Sequence, residues 1–273
     1  FSLVLNKRKG HITSYYHNGQ RLLEQGPSPD FWRAPTDNDM GARSNGQRGI
    51  KLLDVWKDAG EVLIEKVDVE EQDHAVRVTM EGELINIGSR IRLHYLVYGD
   101  GTVDVEIAYT PGEKDLPQIM PRFGTRMVVT PGYNQITWFG PGPEPTYADR
   151  IAQPVGEYSS TVQEEWINYS KPQENGYKTD VRWVKLQNNQ GSGLKISGDP
   201  LIGVGATHYS KEEIARADYG FQLTPQPQVY LNIDYKQMGV GGINSWSENA
   251  YPLAPYRVNN EKMSYRYRME PVD

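Results

Sequence analysis

Hydrophobic and polar residues alternate along most of this chain. The segments EKVDVEEQDHAVRVTMEGEL, SRIRLHYLVYGDGTVDVEIAYT and GLKISGDPLIGVGA show the pattern most clearly. A period of two places successive side chains on opposite faces of a β-strand, so these segments predict strands with one buried face. Asp100-Gly101 predicts a hairpin with a type I′ turn, which needs positive φ at both central residues, and Asn18-Gly19 gives a similar signal.

Helical periodicity is confined to two short segments. In SKEEIARA, Ser210 is suited to cap a helix and Glu213 to complete a capping box. In IKLLDVWKDAG, Leu53 and Trp56 share one helical face and Gly60 marks the end. We expect both short helices to connect strands.

Two long segments rich in Pro, Gly and Asp interrupt the alternation. They are EQGPSPDFWRAPTDNDMGARSNGQRG and PGYNQITWFGPGPEPTYADRIAQPVGEYSS. Loops of this length in a compact domain are usually functional or contact a partner. No repeat, low-complexity tract or linker divides the chain. The sequence therefore predicts an all-β fold, a single large antiparallel β-sandwich over residues 1–273.

Composition and charge exclude several classes of protein. The formal net charge is −6, so the chain lacks the positive charge on which nucleic-acid binding depends. It has no Cys, which excludes disulfides, thiolate nucleophiles and Cys-ligated zinc. No apolar run reaches the roughly 20 residues that span a bilayer. We expect a soluble protein, in the cytoplasm or the periplasm. Because the chain opens at Phe1 inside a strand-like segment, we expect it to be cut from something longer or processed.

Candidate catalytic groups are scattered. The histidines, none at a metal-binding spacing, are His11, His17, His74, His94 and His208. No nucleophile elbow occurs. The carboxylates in turn-rich loops are Asp37, Asp39, Glu144, Asp149, Glu174 and Glu248. Retaining glycoside hydrolysis needs two carboxyl groups about 5 Å apart, and the alternative is that these acids cap turns and pair with arginines.

The segment MGVGGINSWS, which runs from Met238 to Ser247, combines glycines with one large aromatic residue, Trp246. A phosphate cradle needs a helix after the glycines, and the following SENAYPLAPYRV has no helical period. The aromatic residues in loops are Phe31, Trp32, Trp138, Phe139, Tyr147, Trp166 and Trp246. Such rings, flanked by polar residues, suit a sugar; alternatively, each anchors its own loop to the core.

Four motifs occur in a fixed order: DFWRAPTDNDMG, WFGPGPEPTYADR, KPQENGYKTDVRW and LNIDYKQMGVGGINSWS. Together they resemble the C-terminal small-chain domain of LacZ-type β-galactosidases, in glycoside hydrolase family 2, over nearly the whole chain. The resemblance implies a supersandwich, related to the galactose mutarotase fold. In that family the domain follows an immunoglobulin-like domain or forms a separate small subunit.

The resemblance also implies roles for particular residues. Trp246 matches the tryptophan that reaches the substrate pocket of the neighbouring barrel and packs on the sugar, especially at the aglycone side. Gly41 begins the segment that matches a mobile loop beside the active site, and it is expected to act as a hinge. Arg43, Ser44 and Asn45 are placed in this loop by position alone.

The other motif residues are expected to form structural loops. They are Asp37, Asn38, Asp39, Tyr147, Asp149, Arg150, Glu174 and Asn175. The family has a glutamate where this chain has Pro145, and Glu144 lies one position earlier. We interpret this motif as loop architecture between domains.

No residue here matches the family's two catalytic glutamates, and magnesium and sodium are implied to bind mainly in other domains. We therefore expect no catalytic residue, metal or cofactor in this chain, and no activity from it alone. The implied parent hydrolyses terminal β-D-galactosides with retention and is a homo-oligomer. The implied partners are its catalytic barrel and other domains, or a large subunit, and the galactoside. The alternatives are a free-standing carbohydrate-binding domain or an aldose epimerase that uses His94 or His208 with Glu248.

Overall fold

A computed structural model describes residues 1–44 and 47–273. The strands in this part of the chain are β1 (Ser2–Asn6), β2 (His11–His17), β3 (Gln20–Asp30), β4 (Arg43–Ser44), β5 (Gln47–Arg48), β6 (Val62–Gln72), β7 (Ala75–Leu84), β8 (Ser89–Tyr98), β9 (Val103–Thr110), β10 (Ile119–Met120), β11 (Arg122–Val129), β12 (Gln135–Pro141), β13 (Val155–Thr161), β14 (Lys178–Gln187), β15 (Gly193–Thr207), β16 (Val229–Gln237), β17 (Val258–Asn259) and β18 (Met263–Val272). The helices are α1 (Asp37–Gly41), α2 (Gly49–Leu53) and α3 (Lys211–Arg216), with short 3₁₀ turns at Asp54–Trp56, Gly220–Gln222, Glu248–Ala250 and Ala254–Tyr256.

One large antiparallel sheet contains most of these strands. Its order is β1-β2-β3-β11-β16-β15-β18-β9-β8-β7-β6, and β14 also pairs with β15 and with β12, which in turn pairs with β13. The long strand β15 pairs with β18 through Gly193–Asp199 and with β16 through Gly203–Thr207. The predicted antiparallel β fold is confirmed.

The sheet curls so that its two ends face each other across the core. The hydroxyl of Tyr15 on β2 donates to the carbonyl of Gly101 at 2.6 Å, and that of Tyr95 on β8 donates to the carbonyl of Gly10 at 3.0 Å. Phe31, just after β3, packs on Tyr109 of β9 with ring centroids 5.3 Å apart. The hydrophobic core therefore lies between the β2–β3 end and the β8–β9 part of the same sheet.

Alternation in the sequence becomes alternation in burial. Along β18, Met263, Tyr265, Tyr267 and Met269 are buried, whereas the residues between them are exposed. Burying one large apolar side chain contributes about 1.5–3 kcal/mol. Many such strands pack on one core, so the period of two determines which face of each strand points inward.

Both predicted hairpins form. At Asn18-Gly19 the two residues have φ of 48° and 78°, as a type I′ turn requires, and His17 pairs with Gln20. At Asp100-Gly101 only Gly101 has positive φ, so the expected type I′ turn is wrong there although the hairpin is right. The reason is that the Asp100 carboxylate accepts a hydrogen bond from the Thr102 amide at 2.8 Å, which favours a longer turn.

The two predicted helical segments are also present. Ser210 and Glu213 form the expected capping box at the start of α3. The other segment divides into α2 and the turn Asp54–Trp56, and its Trp56 is fully buried. Across the described residues, no helix has both the length and the apolar character needed to cross a membrane.

Candidate functional site

Trp246 lies on an irregular segment between β16 and the turn Glu248–Ala250. The side-chain oxygen Oδ1 of Asn244 accepts hydrogen bonds from the backbone amides of Trp246 and Ser247, both at 3.1 Å. The residue Trp246 is nevertheless 69% exposed, and Ile243 on the same segment is 74% exposed. We call residues 238–247 the Trp246 loop: its backbone is held in place, while Ile243 and Trp246 are exposed to solvent.

Arg33 fixes the start of this loop. Its guanidinium forms a bidentate pair with the Asp39 carboxylate, with distances of 2.9 and 3.0 Å. The same group donates to the carbonyls of Met238 at 2.6 Å and Gly239 at 2.9 Å. Burial by itself would lower the pKa of Arg33, but the Asp39 carboxylate raises it, so the guanidinium is charged. One buried side chain thus joins α1 to the Trp246 loop.

The residues of α1 that were predicted to be structural, Asp37, Asn38 and Asp39, form hydrogen bonds that hold this helix in place. Thr36 and Asp39 form a capping box at the start of the helix. The Asp37 carboxylate accepts from the Gln173 amide at 3.2 Å, and the Asn38 amide donates to the carbonyl of Ala250 at 3.1 Å. The first and third sequence motifs therefore meet at this short helix, together with Ala250, three residues after the end of the fourth motif.

Asp149, from the second motif, holds the same loop from another side. Its carboxylate accepts hydrogen bonds from the amides of Val240 at 3.0 Å and Gly241 at 2.7 Å. A Cβ atom added at Gly239 would lie 2.4 Å from this carboxylate. Tyr147 and Arg150 form the backbone bridge that presents Asp149. The glycines are needed here because the carboxylate approaches the backbone closely.

Gly41 ends α1 directly against the Trp246 loop. A Cβ atom added at Gly41 would lie 1.7 Å from the carbonyl oxygen of Ser245, so glycine is required by close packing. Arg43 is exposed, and it and Ser44 form β4, which lies beside the turn Glu248–Ala250. Asn45 lies outside the described residues. The structure brings the predicted Gly41 segment and the Trp246 loop together, and the hinge role of Gly41 stays a prediction.

Comparison with known proteins decides the family. The family model described as "Beta galactosidase small chain" matches residues 1–269. The chain belongs to this family. The β-galactosidase of Priestia megaterium is 35% identical over 254 residues, which make up 92% of this chain and 24% of that protein. The β-galactosidase of Halalkalibacterium halodurans is 32% identical over 254 residues, 90% of this chain and 24% of that protein.

This small-chain domain thus spans about a quarter of the length of the curated β-galactosidases that it matches. Among solved structures, a galactose mutarotase related enzyme from Lactobacillus acidophilus aligns with a TM-score of 0.50. The alignment covers 99% of this chain and 96% of that chain at 8% identity, so the likeness concerns the fold. The expected family and the galactose mutarotase-like β-sandwich are both confirmed.

Two of the seven aromatic residues predicted in loops, Trp138 and Phe139, lie on strand β12 instead, and most of the seven pack into this small-chain domain. Phe31, Trp32, Trp138 and Tyr147 are buried. Trp166 packs on Tyr209, with centroids 4.7 Å apart. Phe139 is 37% exposed, against 69% for Trp246. Of the seven, Trp246 presents its ring most openly.

Glu174 and Asn175, from the third motif, form hydrogen bonds with neighbouring segments. Asn175 accepts from the Ile167 amide at 2.9 Å and donates to the Gln173 carbonyl at 3.0 Å, which fixes the turn. The Glu174 carboxylate accepts from Arg122 at 3.1 Å, and its pKa is raised by burial. In the second motif, Pro145 is buried and the shifted Glu144 is exposed.

Sequence reasoning missed a buried ion cluster in the small-chain domain around Arg122. We call it the Arg122 cluster; its members are Asp30, Arg122, Glu174, Lys211 and Asp234. The Arg122 guanidinium lies 3.6 Å from the Asp234 carboxylate and 3.7 Å from that of Asp30. Lys211 pairs with Asp30 on its other side.

Protonation in the Arg122 cluster follows from burial and from the neighbouring charges. Burial raises the pKa of Asp234 to about 7, although Arg122 opposes this. For Asp30, burial would raise the pKa, but Lys211 and Arg122 together lower it to about 2. Two carboxyl groups of one cluster are thus protonated in different pH ranges.

The histidines that an epimerase would use are His94 and His208. His208 is buried and its Nδ1 lies 3.0 Å from the Gln228 carbonyl, whereas His94 lies on β8. Within residues 1–44 and 47–273, neither histidine forms a hydrogen bond or ion pair with Glu248, which is exposed. In the same residues, no group of three or more His, Cys, Asp or Glu side chains is arranged to hold a metal ion.

Proposed function

We propose that this chain is the C-terminal domain of a retaining β-galactosidase and that it completes the substrate pocket of a separate catalytic barrel domain. The observation that carries the proposal is the Trp246 loop. An indole that is 69% exposed on a backbone fixed by Asn244, Arg33 and Asp149 is an aromatic surface prepared for a ligand outside this domain. Family membership makes a galactoside the natural choice for that ligand.

The carboxylates around the Trp246 loop argue against independent hydrolysis. Asp39 is paired with Arg33, and Asp149 accepts hydrogen bonds from two backbone amides. Glu248 is exposed at the start of a short turn. A retaining glycosidase needs an acid and a nucleophile about 5 Å apart on either side of the bond. We therefore place both catalytic glutamates in the barrel domain, and none in this chain.

The segment that begins at Gly41 contributes to the same pocket in this proposal. Gly41 packs on Ser245, the residue next to Trp246, so movement of one segment would displace the other. Arg43 and Ser44 would then border the pocket entrance. The partners of this chain are the catalytic barrel and other domains of the parent, or a large subunit, within a homo-oligomer. Magnesium and sodium of the parent are bound mainly by those other domains.

A complementation experiment tests this function. The purified chain should not hydrolyse o-nitrophenyl β-D-galactoside, and the remaining part of the same parent should be nearly inactive. Mixing the two should restore turnover, because each supplies half of the pocket. Circular dichroism must show that both parts are folded. Turnover by the purified chain, or full activity of the remaining part on its own, would show that the proposal is wrong.

The alternative of an independent carbohydrate-binding domain has support from the exposed indole alone. Titration calorimetry of the isolated chain with lactose distinguishes the two functions. We expect no saturable heat, because one exposed ring offers few hydrogen-bonding partners for a sugar. Saturable heat without restored turnover would favour the binding domain.

The variant Trp246→Ala is expected to raise KM for lactose in the parent enzyme about fivefold. Loss of an aromatic contact costs about 1 kcal/mol, and the loss should fall on the aglycone sugar. Stability should not change because the side chain is exposed. The measurement is KM together with the ratio of transglycosylation to hydrolysis. Ile243→Ala is a matched control, since Ile243 is on the same loop and 74% exposed. An unchanged KM and ratio in Trp246→Ala would contradict the role.

A further inference from the structure

Four backbone polar groups of residues 238–241, at the start of the Trp246 loop, are held from two sides. Arg33 donates to the carbonyls of Met238 and Gly239, at 2.6 and 2.9 Å. Asp149 accepts from the amides of Val240 and Gly241, at 3.0 and 2.7 Å. The Arg33 guanidinium therefore binds two carbonyl groups, and the Asp149 carboxylate binds two amides, of neighbouring peptide units.

The rest of the loop is a compact unit that is attached at this point and also packs on α1, where Ser245 contacts Gly41. The amide of Ile243 donates to the carbonyl of Asn249 at 2.8 Å. A Cβ atom at Gly242 would lie 2.4 Å from the carbonyl oxygen of Ala250. Asn244 fixes the amides of Trp246 and Ser247. Because of these internal contacts, we expect the unit to shift as a whole against α1 when its attachment at residues 238–241 changes.

We propose that Arg33 and Asp149 are positioning residues that set the place of the Trp246 indole in the pocket of the parent enzyme. This inference rests on the function proposed above and adds how the contact with the aglycone sugar is tuned. Glycine-rich backbone has many accessible conformations, so the loop depends on external hydrogen bonds for one orientation. Charged partners make the strongest such bonds. Neither residue touches the sugar; both act through Trp246.

Asp149 is the better residue for a test. Arg33 is 1% exposed and is bonded to the buried Asp39, so its removal would disturb the fold. Asp149 is half-buried, and its carboxylate bonds the loop amides directly. Glu144 offers a matched control, because it is an exposed acid in the same motif.

The experiment compares Asp149→Ala, Asp149→Asn and Glu144→Ala in the full-length parent enzyme. We expect Asp149→Ala to raise KM for lactose roughly threefold to tenfold with little change in kcat. The asparagine variant should fall between it and wild type, since its amide keeps one acceptor oxygen. Amide exchange of Val240 and Gly241, followed by mass spectrometry, should be about tenfold faster in Asp149→Ala. Glu144→Ala should leave both unchanged.

A double variant separates positioning from a general structural effect. In Asp149→Ala/Trp246→Ala, KM should equal that of Trp246→Ala alone, because Asp149 has no other route to the sugar. Additive increases in KM would overturn the proposal, as would unchanged exchange at Val240 and Gly241. If Trp246→Ala raises KM and Asp149→Ala does not, only the positioning role is wrong. If Trp246→Ala itself leaves KM unchanged, the proposed role of Trp246 fails and this inference fails with it.

Discussion

Replacing Arg122 with methionine is expected to lower the free energy of unfolding by roughly 3–5 kcal/mol at pH 7. The guanidinium is 2% exposed and lies among the carboxylates of Asp30, Glu174 and Asp234. Methionine fills much of the same space without a charge. The cost arises because the variant leaves three acids together in the interior, of which only Asp30 keeps a direct ion pair, with Lys211, among the described residues.

Denaturation by guanidinium chloride, followed by circular dichroism, measures this loss. Arg126→Met is the matched control, because Arg126 lies on the same strand and its side chain is 20% exposed. It pairs with Glu212, itself 37% exposed, so its removal should cost no more than about 1 kcal/mol. Equal losses in the two variants would mean that the Arg122 cluster adds nothing beyond an ordinary surface pair.

The free energy of unfolding should also fall as the pH rises from 4 to 7, because the proton that Asp234 holds in the folded chain is then lost. The variant Asp234→Asn should remove this part of the pH dependence. The pKa of Asp234 is about 7 in the folded chain against 3.8 in a model carboxyl group. The folded state therefore holds a proton that the unfolded state has lost. The stabilisation is complete below pH 4 and is lost as the pH passes through 7. The size of the effect is on the order of 2–4 kcal/mol.

The comparison of the two proteins isolates this residue, since every other titrating group is the same in both. Near pH 4 they should unfold at similar denaturant concentrations, because asparagine resembles the protonated acid. At pH 8 the asparagine variant should be the more stable one, as Asp234 Oδ1 is buried without a hydrogen-bond partner in the described structure. A constant difference between the two proteins from pH 4 to 8 would show that Asp234 does not titrate in this range. Asp30, with a pKa of about 2, acts only at lower pH.

The sheet could be predicted from the sequence because the patterns that specify its strands and turns are local. A period of two, a dipeptide such as Asn18-Gly19 and a capping pair such as Ser210 and Glu213 each act within a few residues. The Arg122 cluster could not be predicted, since its members come from five separate places in the chain. Ile233 and Asp234 pair with the consecutive residues Thr125 and Gly124 and so point to opposite faces of the sheet, yet both are buried. Burial of a strand on both faces leaves no alternation in the sequence by which the buried acid could be recognised.

For the candidate site, the motifs could be recognised in the sequence, but the contacts that join them are seen only in the structure. Trp246 and Gly41 were assigned to one pocket by resemblance alone, and their segments are in backbone contact. The contact between Asp149 and Gly241 spans 92 residues of chain. No spacing rule reaches that far, so the dependence of the glycines on this carboxylate was not predictable from the sequence.

The interior position of β18 has a consequence for the order in which the chain is made. This strand joins β15 to β9 and so links the part of the sheet that contains β1–β3 to the part that contains β6–β9. A ribosome delivers residues 263–272 after all the other strands. Until then both partner edges expose unpaired backbone groups, which other chains can pair with. The sheet is therefore complete only when β18 has been made. Until then, the strands beside its place in the nascent domain can pair with the wrong partner.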